Sequence, residues 1–171
     1  MSFLSNLFGG KRKDRDPVRP LWHRVVEIAR EKHWYAQGGI ADSVPGRFDA
    51  ITLVLALVTL RMERDEALAQ ASALLTELFV EDMDGQLRQT GVGDPTVGKH
   101  IGKLMQALGG RIGALREALP EGEAALVPVL ERNLTLIENA DLARLASATM
   151  ALWKQLEAMP ADDLLAGRIS R

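Results

Sequence analysis

The side chains that most often bind metals or act as nucleophiles are sparse in this sequence. There is no cysteine, which excludes a thiol nucleophile, a disulfide scaffold and a cysteine-ligated zinc or iron–sulfur site. The three histidines, His23, His33 and His100, include no pair at the i, i+4 spacing that places two imidazoles on one helix face. We therefore predict no metal site and interpret His23 as a solvent-exposed side chain.

Several glycine-rich stretches look like ligand-binding loops but fail on spacing. A calcium loop beginning at Asp82 would need glycine at its sixth position and glutamate at its twelfth, where this sequence has Leu87 and Gly93. The stretches 91–93 and 109–113 lack the Lys-Ser/Thr pair of a phosphate-binding loop. The many aspartates are typical of helix N-caps and solvated loops. We therefore predict no catalytic and no cofactor-binding residue.

The charge balance and the hydropathy limit the class of protein. The 171 residues carry a formal net charge of −2 and are 47% hydrophobic, which fits one ordinary globular domain rather than a nucleic-acid binder. The longest apolar run, 50–60, lies between Asp49 and Arg61. A membrane span needs ~20 such residues, so this run predicts a buried core helix. A secretory signal is not expected, since the basic residues at the N-terminus follow the apolar ones.

The N-terminal segment 1–19 is apolar and then basic. Residues 1–20 contain five basic and two acidic side chains, a net charge of +3, so the rest of the chain carries −5. Four apolar side chains would share one face of a helical turn. Such a segment could lie on an anionic membrane surface, as a weak and reversible attachment, or be a frayed terminus. The membrane-contact hypothesis names Phe3, Leu4, Leu7, Phe8, Lys11, Arg12 and Lys13.

Helical periodicity runs through most of the remaining chain. A first helix with an apolar stripe begins at Pro20 and ends at Gly38-Gly39. After a turn at Pro45-Gly46, a helix over 48–62 is apolar nearly all round, which predicts a position at the centre of the packing. The other predicted helices begin near Asp65, at Asp94-Pro95 with an end near Gly109-Gly110, near Glu121 with Pro128 inside, and at Leu142 after an Asp141 cap.

Signals for β-strands are nearly absent, because there are no long alternating runs and no hairpin-type turns between apolar strands. The sequence therefore predicts an all-α fold, a single compact multi-helix bundle of about six to seven helices with a short N-terminal amphipathic segment. We divide the chain into a flexible apolar and basic segment over 1–19, a helical domain over 20–160, and a short, loose C-terminal tail over 161–171.

Two stretches mix glycine, aspartate and arginine in what we interpret as loops beside buried helices, where binding geometry is often fixed. The first block, 39–49, reads Gly-Ile-Ala-Asp-Ser-Val-Pro-Gly-Arg-Phe-Asp. The second block, 82–94, reads Asp-Met-Asp-Gly-Gln-Leu-Arg-Gln-Thr-Gly-Val-Gly-Asp. An alternative interpretation is that both are ordinary turns, in which Arg47 and Arg88 pair with nearby aspartates.

The two blocks, in this order and at this separation, resemble the signatures of the ubiquinol–cytochrome c chaperone family, and the resemblance extends over about 21–119. Ala41 stands where the family has proline, and Ser43 stands where it has threonine. Leu115 stands where a tyrosine is expected, so the resemblance does not imply a partner contact near 108–115. The residues that the resemblance implies as client contacts are Asp42, Gly46, Arg47, Phe48, Asp49, Asp82, Met83, Asp84, Leu87, Arg88, Gly91, Val92, Gly93 and Asp94.

The resemblance implies a non-enzymatic assembly chaperone for the cytochrome bc1 complex (complex III), which binds newly made cytochrome b and holds it for maturation. It implies no cofactor, and in eukaryotic relatives a small partner subunit and the ribosome take part. Without a visible presequence, we expect a bacterial, cytoplasmic protein, peripheral at the cytoplasmic face of the inner membrane. The alternatives are a membrane-associated helical adaptor or scaffold without a client-folding role, and a hydrolase or transferase that uses the aspartate-rich stretches.

Overall fold

The computed structural model describes residues 15–171, which form helices around one hydrophobic core. Within this range the β pairing is limited to one antiparallel bridge, between Ile40 and Leu136. The predicted all-α bundle is confirmed. In chain order the helices are α1 (Arg19–Ala29), α2 (Lys32–Ala36), α3 (Val44–Met62), α4 (Ala69–Gln89), α5 (Asp94–Ala118), α6 (Glu123–Asn133), α7 (Leu142–Glu157) and α8 (Ala161–Leu165).

Helix α3 lies at the centre of the bundle, because its surface is apolar nearly all round. Helices α1, α4, α5 and α7 pack against it. The Ser43 side chain caps its first turn by accepting a hydrogen bond from the Gly46 N–H at 3.2 Å, and Pro45 lies in the same turn. The helix therefore begins at Val44, and Pro45-Gly46 are helical, which corrects the prediction of a turn there.

The first helix ends earlier than predicted, and a second short helix follows it. The apolar stripe of α1 is buried, as predicted, but α1 ends at Ala29 and α2 folds back over its end. Trp34 Nε1 donates a hydrogen bond to the Ile28 carbonyl at 2.8 Å, and the Tyr35 hydroxyl donates to the Ala29 carbonyl at 2.7 Å. These side chains satisfy carbonyl groups that the end of a helix leaves without intrahelical partners.

Helices α4 and α5 are both longer than predicted. Helix α4 includes 82–89, which we expected to be a loop, and α5 continues through Gly109-Gly110 to Ala118. Leu108 and Leu115 are buried on either side of this glycine pair, so tertiary packing holds the helix together there. A Cβ atom would meet nothing within 4 Å at any of the five glycines of α5, Gly98, Gly102, Gly109, Gly110 and Gly113.

The segment between α6 and α7 pairs with the segment before α3. Helix α6 begins beyond the predicted start, continues past Pro128 and ends at Asn133. The Ala41 N–H then donates to the Thr135 carbonyl, and the Ile137 N–H donates to the Gly39 carbonyl, both at 2.9 Å. Asp141 caps α7 as predicted, whereas Asp65 caps the short 3-10 helix Glu66–Leu68 that leads into α4; each side chain accepts a backbone hydrogen bond at 3.0 Å.

The C-terminal segment 161–171 packs against α1 and is not a loose tail. It contains α8, and the side chains of Leu164 and Ile169 are buried. The Arg24 guanidinium donates two hydrogen bonds to the Ile169 carbonyl, at 3.0 and 2.7 Å. The expectation of looseness was wrong because these apolar side chains have long-range partners that the local sequence does not reveal.

No helix between residues 15 and 171 combines the length and the apolar character that crossing a bilayer requires. The predicted membrane-contact residues, from Phe3 to Lys13, precede residue 15 and lie outside the described residues. The membrane-contact hypothesis therefore depends on the sequence alone.

Candidate functional site

Three aromatic side chains bring the two sequence blocks to the same end of the bundle. The Phe48 ring, in the first turns of α3, lies 6.1 Å from the Phe79 ring of α4, measured between centroids. The Trp22 ring of α1 meets Phe79 edge-on at the same distance, and Trp22 Nε1 donates a hydrogen bond to Asp82 Oδ2 at 3.1 Å. Trp22 and Phe79 were not among the predicted site residues. The signal that could have identified Trp22 is that a buried indole N–H needs a hydrogen-bond acceptor.

Asp49, predicted as a client contact, is instead the centre of a buried polar network. Its Oδ1 lies 2.5 Å from Nη2 of Arg111, and its Oδ2 accepts hydrogen bonds from the N–H and the hydroxyl of Thr135, both at 2.7 Å. Arg111 also donates to the Thr52 hydroxyl. This network joins α3, α5 and the α6–α7 segment. Sequence reasoning missed both partners, because Arg111 was considered only within a possible phosphate-binding loop and Thr135 lies outside both sequence blocks.

Gly46, a second predicted contact, is required by close backbone packing. A Cβ atom at this position would lie 1.8 Å from the Ala41 carbonyl oxygen, so the residue must be glycine for the chain to turn into α3. Its neighbour Arg47 points outward and pairs with Asp42 at 2.7 Å, and about two thirds of each side chain is exposed. The hydrogen bond from Arg47 lowers the pKa of Asp42, and the same bond raises the pKa of Arg47.

In the second block, Arg88 ties the end of α4 to the start of α5. It donates a hydrogen bond to Asp84 at 2.8 Å and another to Asp94. Hydrogen bonds to these two carboxylates raise the pKa of Arg88. Gly91 makes the turn with φ of +83°, and Gly93, not Asp94, is the N-cap of α5. This pairing agrees with the interpretation of Arg47 and Arg88 as partners of nearby aspartates.

The connection between α4 and α5 extends beyond the hydrophobic core. The fully buried core residues end at Met83 on α4 and resume at Leu108 on α5, with Ile101, Leu104 and Met105 half-buried against the core before it. We call residues 84–98 the hairpin tip. Val97 is buried within the tip but does not belong to the main core, and Asp94 is exposed. The tip therefore presents polar and half-buried apolar groups to solvent on a helical frame.

The fourteen predicted contacts divide into inward-facing and outward-facing residues. Gly46, Asp49 and Met83 are buried, and Phe48 is half-buried against the core. These four support the fold around the site. The remaining residues are exposed or partly exposed and can contact a partner: Asp42, Arg47, Asp82, Asp84, Leu87, Arg88, Gly91, Val92, Gly93 and Asp94.

A groove of about 450 Å³ lies between α1 and α4, beside the hairpin tip. Its lining is mostly polar, with a small apolar area from Trp22, Val26 and Leu78, and its edge includes Asp82 of the second block. The other charged or titratable residues that line it are Arg19, His23, Glu27, Arg30 and Glu81. We call the groove, the hairpin tip and the Asp42–Arg47 pair together the candidate surface. A charged groove with a small apolar area is suited to binding polar or amphipathic protein segments.

Metal chemistry has no support in the described part of the chain. Within residues 15–171, no three His, Asp or Glu side chains are grouped closely enough to hold a metal ion. His23 is exposed at the edge of the α1–α4 groove, as predicted. The candidate surface offers charged side chains and a small apolar area to a partner.

Comparison with known proteins identifies the family of this chain. The family model described as Ubiquinol-cytochrome C chaperone matches residues 36–171, a range that includes both sequence blocks. A crystal structure of the Cbp3 homolog from Brucella abortus is 31% identical and superposes with a TM-score of 0.79, covering 98% of this chain and 96% of that chain. No curated protein matches the chain. On these matches, the chain belongs to the ubiquinol–cytochrome c chaperone family.

Proposed function

We propose that this protein is an assembly chaperone for the cytochrome bc1 complex and that it binds newly made cytochrome b without catalysing a reaction. The observation that carries the proposal is the family match over 36–171. The likeness to the Cbp3 homolog, which covers 98% of this chain and 96% of that chain, supports it.

The candidate surface is the part of the molecule that we assign to the client. Covering apolar client segments stabilises a complex by about 25 cal/mol for each Å² removed from water, and the α1–α4 groove offers Trp22, Val26 and Leu78 for such contact among its charged side chains. The hairpin tip adds Arg88 with its two carboxylates, whose exposed ion pairs can exchange partners at little cost.

Reversing the charge of Arg88 is expected to reduce the amount of assembled bc1 complex while the bundle stays folded. In Arg88→Glu, three carboxylates would meet at the hairpin tip, and the tip would lose its link between α4 and α5. We would measure the b-type haem absorbance of membranes from a deletion strain that expresses each variant. The deletion strain itself should lose this absorbance, and Arg88→Glu should restore much less of it than the natural chain does.

The matched control is Arg144→Glu, which reverses an exposed, ion-paired arginine on α7, outside the candidate surface. It should restore the haem absorbance fully. Normal haem absorbance in the deletion strain would refute the chaperone proposal itself. Loss of helical circular dichroism in purified Arg88→Glu would mean that Arg88 is structural and does not contact the client.

We place the protein at the cytoplasmic face of the inner membrane, next to its client. The support is the apolar and basic composition of residues 1–19, which suits weak attachment to an anionic surface. The adaptor alternative depends on the same segment. It is distinguished from a chaperone by the Arg88→Glu result, because an adaptor that is attached through residues 1–19 would not need the hairpin tip.

A further inference from the structure

A second groove of about 450 Å³ lies away from the candidate surface, between the C-terminal ends of α3 and α5 and the second half of α7. Along α3, Phe48 and Glu63 are separated by roughly 22 Å at the usual helical rise. The two grooves are therefore at different ends of the bundle. We call this one the rear groove, and it is lined by Leu60, Glu63, Arg64, Arg116, Leu119, Pro120, Met150, Trp153, Lys154 and Glu157.

The floor of the rear groove is apolar and still touches solvent. Leu60, Leu119, Met150 and Trp153 keep 5–6% of their surface exposed, at the edge of an otherwise closed core. The Arg64 guanidinium lies 4.9 Å from the centroid of the Trp153 ring. Tryptophan, methionine and arginine are enriched where proteins bind one another.

The rim carries three cations and two carboxylates. Arg64 pairs with Glu157 at 2.5 Å, and Arg116 binds both carboxylate oxygens of Glu63, at 2.8 and 3.0 Å. Lys154 has no ion pair with any residue in the range 15–171. More than half of each arginine side chain is exposed. Ion pairs this exposed contribute little to stability, so a carboxylate from another molecule can take over either arginine at small cost.

We infer that the rear groove is a docking site for an acidic peptide segment of a partner protein. Apolar side chains of the segment would cover the floor, and its carboxylates would pair with Arg64, Arg116 and Lys154. The rim carries one more cation than carboxylates, which favours a negatively charged partner, and the concave apolar floor accepts the side chains of a peptide segment. This inference goes beyond the proposed function, since it involves other residues and a different end of the bundle.

Fluorescence anisotropy of a labelled peptide tests the site. The probe is a short fluorescein peptide in which glutamates flank a Leu-Phe pair, and the comparison peptide has lysines in place of the glutamates. The whole chain should bind the glutamate peptide saturably and the lysine peptide at least about tenfold more weakly. Arg116→Glu should weaken binding of the glutamate peptide by about tenfold or more. Arg144→Glu, which also reverses an exposed arginine with one acidic partner, should bind it normally.

Four results would overturn the inference. One is equal binding of the two peptides, or no saturable binding of the glutamate peptide. A second is equal affinity of Arg116→Glu and the natural chain, with circular dichroism showing that both are folded. A third is recruitment to phosphatidylglycerol vesicles that Arg116→Glu abolishes, which would make the groove a lipid site. The fourth is a dimer in light scattering that Arg116→Glu dissociates, which would make it a self-association surface. None of these results bears on client binding at the candidate surface.

Discussion

Replacing Asp49 with alanine is expected to lower the free energy of unfolding by about 3–5 kcal/mol. The substitution leaves the Arg111 guanidinium largely buried and without its carboxylate, and it removes the acceptor of two hydrogen bonds from Thr135. Urea unfolding followed by circular dichroism measures the loss. The double variant Asp49→Leu with Arg111→Met should recover part of it, because replacing a whole buried ion pair by apolar side chains is often neutral, whereas Thr135 stays without its acceptor.

The matched control is Asp42→Ala, which also removes one carboxylate from an arginine in the first block. Because Asp42 and Arg47 are exposed, this variant should unfold at the same urea concentration as the natural chain. If Asp49→Ala were as stable as the natural chain and yet failed to support bc1 assembly, Asp49 would contact the client directly and our structural interpretation of it would be wrong.

Replacing Gly46 with alanine is expected to destabilise the fold by about 3 kcal/mol or more, at the upper end of the usual cost of overpacking. The new methyl group would lie 1.8 Å from the Ala41 carbonyl oxygen and 2.8 Å from its carbon, and both are backbone atoms that cannot move aside as a flexible side chain could. The same urea titration measures the effect. The turn into α3 and the segment that pairs with Thr135 should loosen together.

Gly98→Ala is the control for this prediction, because it adds the same methyl group where nothing lies within 4 Å. Alanine is the better helix former by about 1 kcal/mol, so this variant should be more stable than the natural chain by up to that amount. If the two substitutions change the free energy of unfolding in opposite directions, close packing rather than helix propensity is the reason for glycine at position 46. A neutral Gly46→Ala would mean that the chain before α3 relaxes easily.

Apolar periodicity was sufficient to predict the helices that make up most of the core. The stripe of α1 and the apolar surface of α3 are local properties of their own segments, and the structure confirms both. The ends of the helices were harder to predict. The glycines at 109 and 110 favoured an end to α5, but Leu108 and Leu115 pack into the core on either side and hold the helix through them. Partners that distant in sequence are invisible to a local pattern.

The sequence was sufficient to locate the candidate site but not to predict which of its side chains face solvent. The two blocks were identified, and Phe48, Phe79 and Trp22 do bring them together. Which members face solvent depends on tertiary contacts. Asp49 and Arg47 are two residues apart in the same helix, yet one is buried against Arg111 and the other is exposed. An aspartate in a motif gives no sign of its burial until its partner on another helix is known.

The position of the hairpin tip outside the core has a consequence for how the molecule moves. Residues 84–98 share few buried contacts with the bundle, and glycine at 85, 91, 93 and 98 weakens their backbone further. Local opening of this segment therefore requires much less free energy than global unfolding, and its amide protons should exchange with deuterium long before those of α3. Within residues 15–171, the hairpin tip is therefore expected to change conformation more easily than the helices packed around α3.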